Sequence, residues 1–405
     1  MLETTERGRD YQERLGKFMD DFVYPAESVY AEQMAAADSP HTQPQVLEDL
    51  KAEAKSQGLW NLFHPDPEWG PGLTNLEYAP LAEITGHIIE IAPESINCNA
   101  PDTGNMEVFT RFGTDEHKEK YLGPLLDGTI ASAFAMTEPA VASSDATNVE
   151  MRMEPTEDGF VLNGRKWFTS NGMHPNCRVL IVMGKTSPDA EVHRQQSMLV
   201  VPIDAPGATV VRNLPVFGYH DREGHAEITF EDVHVPSSDI LKGEGEGFAI
   251  SQARLGPGRI HHCMRAIGAA ERALELMVKR AEERVTFGEK LSSRANIQDW
   301  IAEARIEIDQ ARLLTLHAAD MMDKHGNKVA KNEIAEIKVV APAMALKIID
   351  RAIQVHGGAG VTEDFPLASM WAHMRTLRLA DGPDEVHKRS IARNEIKKYR
   401  KQPAR

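Results

Sequence analysis

Phe160-Val161-Leu162-Asn163-Gly164-Arg165-Lys166-Trp167-Phe168-Thr169 is the stretch whose reading decides the fold. Apolar and aromatic residues flank an Asn-Gly pair, the two-residue turn favoured where both central positions take positive φ. The spacing predicts a β-hairpin there. Further strand candidates follow at short intervals, over 178–183, 197–203, 208–211 and 226–230. Several short strands separated by turns predict a small β-barrel or sandwich. On either side the texture is helical. Upstream, Leu15, Phe18, Met19, Phe22 and Val23 recur at helical spacing until Pro25, which is expected to interrupt the helix. Helical patterning resumes over about 45–57 and 78–91, and Thr114-Asp115-Glu116 has the composition of a helix start. Downstream, Gly243, Gly245 and Gly247 close the strand region. Ile297, Ile301, Ala304, Ile308, Ala311 and Thr315 then form a bundle-like seam. Gly326-Asn327 breaks it, and Ile334, Ile337, Val340, Ala341, Met344, Ile348 and Val355 make a second stripe that ends at Gly357-Gly358. The expectation is an α+β chain with an N-terminal helical domain over 1–130, a middle β-barrel domain over 131–242 and a C-terminal four-helix bundle over 243–405.

The bulk numbers bound the function classes. A chain of 405 residues can bury two or three cores, and 41% hydrophobic with 26% charged residues is ordinary for a globular protein. Sixty-one acids against 45 bases give a net charge of -16, which argues against nucleic acid or an anionic membrane as the main partner. Three scattered cysteines, Cys98, Cys177 and Cys263, make no disulfide framework and no C-x-x-C zinc pair, so no metal is expected. No apolar run approaches the length of a membrane span. The start Met1-Leu2-Glu3-Thr4-Thr5-Glu6-Arg7 has no apolar signal core, so a cytoplasmic location is expected if the source is bacterial.

Three segments could carry chemistry. Thr137 to Asp145 is small, polar and Ser-rich, and such a loop can offer N–H groups and hydroxyls to a phosphate or a ring edge. Without more, an ordinary strand-to-loop transition is the better reading of it. Trp167 lies two residues before Thr169, so alternation places an indole and a hydroxyl on one sheet face. Those groups could serve a planar cofactor or a core. Asp381-Gly382 precedes Pro383 and the last helix, whose acids Asp384 and Glu385 suit a helix N-terminus. His261-His262-Cys263 offers little as a metal site, because adjacent helical residues point about 100° apart, and packing or pocket lining is the better reading. No G-x-G-x-x-G fingerprint supports a Rossmann domain.

In order and spacing these segments resemble the acyl-CoA dehydrogenases. Thr137-Glu138-Pro139 followed by 140–145 is similar to the family's T-E-P with its small-residue run ending in S-D. Trp167-Phe168-Thr169-Ser170-Asn171 is similar to W-x-T-N-G, Arg284-Val285-Thr286-Phe287-Gly288 to R-x-x-F-G, and 354–360 to Q-x-x-G-G-x-G. The residues 255–265 and 380–387 resemble an aspartate-base subgroup whose animal members include chains fused to a kinase-like domain. The resemblance implies FAD, held by Met136, Thr137, Ser143, Ser144, Trp167, Thr169 and Glu385. It implies that Arg284, Phe287, Gln354, Gly357 and Gly358 reach the FAD of a neighbouring subunit in a homo-oligomer, a dimer of dimers. Substrate would meet Ser144, Arg259, Ala380, Asp381 and Gly382, with Asp381 as the catalytic base. The implied reaction is α,β-dehydrogenation of an acyl-CoA to the 2-enoyl-CoA, with an electron-transferring flavoprotein as acceptor. Ala380 stands where Tyr is frequent and Asp381 is one methylene shorter than the common Glu, so the acyl group is expected to be branched or hydroxylated. Two other readings stay open: a nitroalkane oxidase-like flavoenzyme, which shares the fold and an Asp base beside an Arg, and a non-catalytic acyl-CoA-binding protein.

Overall fold

The computed structural model of the chain describes residues 4–400. Its middle is one sheet of seven strands, β1 (Ala131–Ala135), β2 (Arg152–Pro155), β3 (Gly159–Ser170), β4 (Cys177–Lys185), β5 (Gln196–Pro202), β6 (Ala208–Asn213) and β7 (His225–Pro236). The ladder runs β1-β4-β2-β3-β7-β6, with β5 on β4, as a half-barrel. Inward residues such as Met153, Leu162, Leu180, Val182, Leu199, Val201, Ile228 and Phe230 fill one apolar core. Each strand candidate read from sequence lies inside an observed strand or overlaps one by all but a terminal residue.

The Asn-Gly turn is overturned. β3 runs unbroken from Gly159 to Ser170, and Asn163 sits in a bulge, with Leu162 opposite Val233 and Gly164 opposite Phe230. Asn163 Nδ2 donates to Asp232 Oδ1 at 3.0 Å, and the Asp232 N–H donates to Asn163 Oδ1 at 2.9 Å. The amide thus closes a local irregularity in the ladder instead of reversing the chain. Gly164 is there for packing: a Cβ would lie 2.7 Å from Met151 Cγ. The turn falls earlier, where the Thr156 N–H donates to the Gly159 carbonyl at 2.8 Å and β2 pairs antiparallel with β3. Asn-Gly suits either device, and pairing with β7 decided between them.

Pro25 does not end its helix. The helix Glu6–Phe18 passes through a wide turn at Met19–Val23 into Tyr24–Ala35, with the Tyr24 N–H donating to the Met19 carbonyl. A π-turn of this kind makes room for a ring that would otherwise strike the carbonyl one turn back.

Two compact units emerge, Met1–Pro25 with Gly72–Pro93 and Arg259–Arg405, and Ala26–Pro71 with Glu94–Gly258. The first is helical. Its long helices are Ala295–His325, Lys331–His356 and Asp384–Arg400, together with the C-terminal part of Gly247–Glu283 and the shorter Leu367–Leu377. The seam residues Ile297, Ala304, Ile308, Ala311 and Thr315 are buried as the periodicity predicts. In the second stripe Val340 is 38% exposed, and Lys338 turns inward to donate to the Leu377 carbonyl. The helix Asn75–Gly86 joins this unit through a close backbone approach: a Cβ on Gly268 would sit 2.0 Å from the Glu83 carbonyl oxygen. The second unit holds the sheet. Asp102, at the start of the helix Asp102–Phe112, ties that helix to the sheet by accepting from the Ser132 N–H at 2.7 Å and from Asn171 Nδ2 at 3.0 Å. No helix among the described residues is long and apolar enough to cross a membrane.

Candidate active site

In the sheet unit, the loop after β1 is fixed by a buried ion pair. Lys166, fully buried on β3, donates to Glu138 Oε1 at 2.7 Å and to the Met136 carbonyl at 2.9 Å. Glu138 also accepts from the N–H groups of Glu150 at 2.7 Å and Met151 at 3.0 Å. Burial pushes the Lys166 ammonium down to about 8, against the pull of Glu138. The Ser143 hydroxyl accepts from the Glu138 N–H at 2.9 Å, so it closes the loop on itself. Ser144 stands exposed at the rim, and Met136 and Thr137 are half-buried, with the Thr137 carbonyl accepting from the Trp167 N–H at 3.0 Å. The loop that looked like a bare cradle therefore has a polar lock beneath it.

The next strand corrects the expectation for Trp167 and Thr169. A second bulge lies there: Lys166 opposes Ile228 and Thr169 opposes Ala226, leaving Trp167 and Phe168 against a single residue. Phe168 adopts φ +48° and is 47% exposed, while Thr169 turns into the sheet at 0% exposure. Trp167 is half-buried and meets Phe168 edge-on at 5.0 Å. Alternation counts residues and cannot see an inserted one. Phe168 and Ser170 carry the same aromatic-x-hydroxyl spacing as Trp167 and Thr169, and the bulge makes them the more accessible pair. Ser170 Oγ lies 2.9 Å from His225 Nδ1, whose Nε2 is 2.9 Å from Asp221 Oδ2, so His225, backed by Asp221, holds that hydroxyl in place. Sequence reading missed His225 and Asp221, because their partner is across a strand pair. The Thr169 hydroxyl is buried without a hydrogen-bond partner among the described residues.

In the helical unit, Asp381 follows the helix Leu367–Leu377 with φ +56°, and Gly382 continues with φ +99°. A Cβ on Gly382 would press on His387 Nε2 at 3.0 Å. Two consecutive left-handed residues turn the chain sharply, a conformation that costs energy for Asp and little for Gly. The Asp381 carbonyl is clamped: Arg259 donates to it from Nε at 3.1 Å and Nη2 at 2.9 Å, and His387 Nε2 lies 3.3 Å away. Burial lowers the Arg259 pKa, partly opposed by Asp381. The side chain of Asp381 is 21% exposed, with His262 Nε2 at 3.6 Å from Oδ2. Burial holds the His262 imidazole below its usual range, against the pull of Asp381, and so favours the neutral ring. The adjacent histidines diverge as helical geometry requires: His261 packs edge-on against Tyr78 at 4.7 Å. Asp384 is buried under Arg378 at 2.6 Å, whereas Glu385 is exposed and Ala380 lies exposed before the turn.

The glycine-rich segment and the R-x-x-F-G segment meet within this unit. Arg284 donates to the His356 carbonyl at 2.9 Å, one residue before Gly357 at φ +66°. Gln354, Gly357 and Gly358 are exposed. Phe287 and Gly288, at φ +51° and +81°, form the turn of a small hairpin between Val285–Thr286 and Glu289–Lys290. Phe287 is fully exposed, an aromatic ring held in a strained conformation in open solvent. Among the described residues no group of His, Cys, Asp and Glu could hold a metal. A cavity of about 380 Å³ in the same unit is lined by Leu76, Pro80, Ile84 and Arg312, and none of the groups around Asp381 lines it.

Comparison with known proteins places this geometry. The acyl-CoA dehydrogenase N-terminal domain matches residues 5–129, the middle domain 133–233 and the C-terminal domain 245–396. The chain is 58% identical over 388 residues to a probable acyl-CoA dehydrogenase, FadE2, of Mycobacterium tuberculosis, covering 96% of this chain and 95% of that one. It is 53% identical to acyl-CoA dehydrogenase family member 11 of Gallus gallus, covering 97% of this chain and 51% of that protein, so it spans about half the length of that relative. A solved Mycobacterium abscessus structure assigned to the acyl-CoA dehydrogenases superposes with a TM-score of 0.95 at 48% identity, covering 98% of this chain and all of that one.

Proposed function

The chain belongs to the acyl-CoA dehydrogenase family, and on that premise we propose that it oxidises an acyl-CoA thioester to the 2-enoyl-CoA with Asp381 as the base. The observation that carries this is the clamped turn at Asp381. A carboxylate is held on a left-handed residue whose carbonyl is gripped by Arg259, so its position is fixed by the backbone. The Arg259 clamp fixes the main chain from which the Asp381 side chain reaches the substrate α-carbon, and the Asp381 carboxylate takes the α-proton.

The residues present fit FAD. The half-exposed ring of Phe168, the exposed Ser144, the half-buried Thr137 and the unsatisfied Thr169 hydroxyl supply a ring surface, phosphate donors and a hydrogen-bonding group within the sheet unit. Bound there, FAD supplies the acceptor for the β-hydride. Met136, Thr137, Ser144 and the Trp167–Phe168 pair would hold it, with Ser143 shaping the loop. Phe287, Arg284, Gln354, Gly357 and Gly358 would serve a neighbouring copy's cofactor, a role supported by a fully exposed ring that nothing in its own hairpin covers. An electron-transferring flavoprotein is the proposed acceptor. The exposed Ala380 beside the short Asp381 supports a branched or hydroxylated acyl group.

The test is anaerobic titration of the purified yellow protein with straight, branched and 4-hydroxy acyl-CoAs and with a nitroalkane. Bleaching of the flavin band by an acyl-CoA, with enoyl-CoA formed, is expected, strongest for the branched or hydroxylated members. Bleaching by the nitroalkane alone, or a colourless protein, would overturn the assignment. Equal turnover of straight chains would remove only the substrate preference.

A further inference from the structure

We infer that His262 is a positioning residue for the Asp381 carboxylate, turning it toward the α-proton by a hydrogen bond from a neutral imidazole. The inference deepens the assignment of Asp381 as base and rests on it. It begins with geometry. His262 Nε2 and Asp381 Oδ2 are 3.6 Å apart, and their side chains are 23% and 21% exposed. That separation is just beyond a hydrogen bond, and catalytic contacts of this kind commonly tighten once substrate is bound. A side-chain shift of about 0.5 Å closes it.

The neighbours explain why the position falls to a histidine. The Arg259 guanidinium is engaged by the Asp381 carbonyl, and so fixes the main chain. Lys338 donates to the Leu377 carbonyl. Asp384 belongs to Arg378. His387 turns its Nε2 toward the Asp381 carbonyl. Cys263, next along the helix, is buried, and its thiol is pushed up to about 12 by burial. His262 brings its Nε2 to 3.6 Å from a carboxylate oxygen of Asp381.

The charge state suits the task. Because burial keeps the imidazole neutral, its N–H can orient the carboxylate without neutralising it. A cation in that place would bind the carboxylate more tightly and blunt it as a base. The fixed end of the carboxylate is thus set by Arg259 through the backbone, and the rotation of the side chain by His262. An aspartate has only two side-chain torsions, and a contact at its carboxylate bears on both.

The experiment is rapid-mixing flavin reduction by an acyl-CoA that bleaches the wild-type holoenzyme, run on H262L, H262Q, D381N and D381N/H262L. H262L is expected to slow reduction at saturating acyl-CoA about 10- to 100-fold, in the range of a misplaced reacting group, with the KM for acyl-CoA within about twofold. Gln can present an amide N–H near the imidazole Nε2, so H262Q is expected to recover most of that loss. D381N/H262L is expected to be no slower than D381N. The inference is overturned if H262L reduces at the wild-type rate, if H262Q and H262L are equally slow, or if H262L slows D381N by the factor it slows the wild type. Should H262L fail to fold, H262Q against wild type and the H262Q/D381N cycle decide in the same way. A D381N protein that bleaches normally would instead sink the assignment of the base itself, a result distinct from any of these.

Discussion

Two buried carboxylates teach more together than either alone. Glu138, 5% exposed, accepts from an ammonium and two backbone N–H groups, and lies under the loop between β1 and β2. Asp381 is one-fifth exposed, sits on a left-handed residue, and has its carbonyl gripped by a guanidinium. The first is saturated and therefore structural. The second has its main chain fixed while its side chain keeps a face toward solvent, the condition for a group that must accept a proton and give it up. Family motifs mark both, since Glu138 lies within T-E-P, and only geometry separates the lock from the proposed base.

The comparison can be broken at the lock first. Lys166→Met should leave Glu138 buried beside no ammonium and cost roughly 3–5 kcal/mol in unfolding free energy by urea titration. A loss under about 1 kcal/mol would mean that the pair is not what fixes the loop. A third buried carboxylate sharpens the distinction. Glu107, 3% exposed, is raised by burial to about 7 despite Arg111 at 2.9 Å. Its folded pKa lies above the ordinary 4.5, so between those values the folded state holds a proton that the unfolded state has released. Its contribution to stability is present below pH 4.5 and lost as pH rises through about 7. Glu107→Gln should therefore be more stable relative to wild type at pH 8 than at pH 5, measured by thermal unfolding at both. A difference of opposite sign would show that the Arg111 pair, not burial, governs the group. The smallest effect is expected at Ser143→Ala, which removes one local bond to the Glu138 N–H and should cost about 1 kcal/mol with flavin retained. Loss of flavin at unchanged stability would return Ser143 to the cofactor contacts.

The same contrast explains what was legible in the chain. The alternation of helices, sheet and bundle was readable, because burial imposes periods of 3.6 and 2 directly on the residues. The strand at 178–183 came through intact, and so did the stripe from Ile297 to Thr315 except at half-buried Ile301. Irregularities did not. Asn163 faces two residues of β7, and Trp167-Phe168 together face one, so the second irregularity shifts the face of the β3 residues beyond it. Pro25 was misjudged for a similar reason, since a wide turn upstream absorbs it. In the site, the order of motifs pointed to Asp381, to Arg284 with Gly357, and to the loop at Thr137. The partners that define their roles were invisible, because Lys166 to Glu138, Arg259 to the Asp381 carbonyl and His262 to its carboxylate are contacts between distant positions in the chain. His262 reads from sequence as packing or pocket lining, because adjacent helical residues diverge, and the carboxylate it approaches lies 119 residues on, as 381 − 262 gives.

The most direct measurement is anaerobic mixing of flavin-loaded Asp381→Asn with an acyl-CoA that bleaches the wild type. Asn keeps the shape of the side chain and removes its basicity. The account predicts that acyl-CoA still perturbs the flavin spectrum on binding while reduction slows by about 10⁴-fold, the upper range for a lost general base. Reduction at the wild-type rate would contradict it.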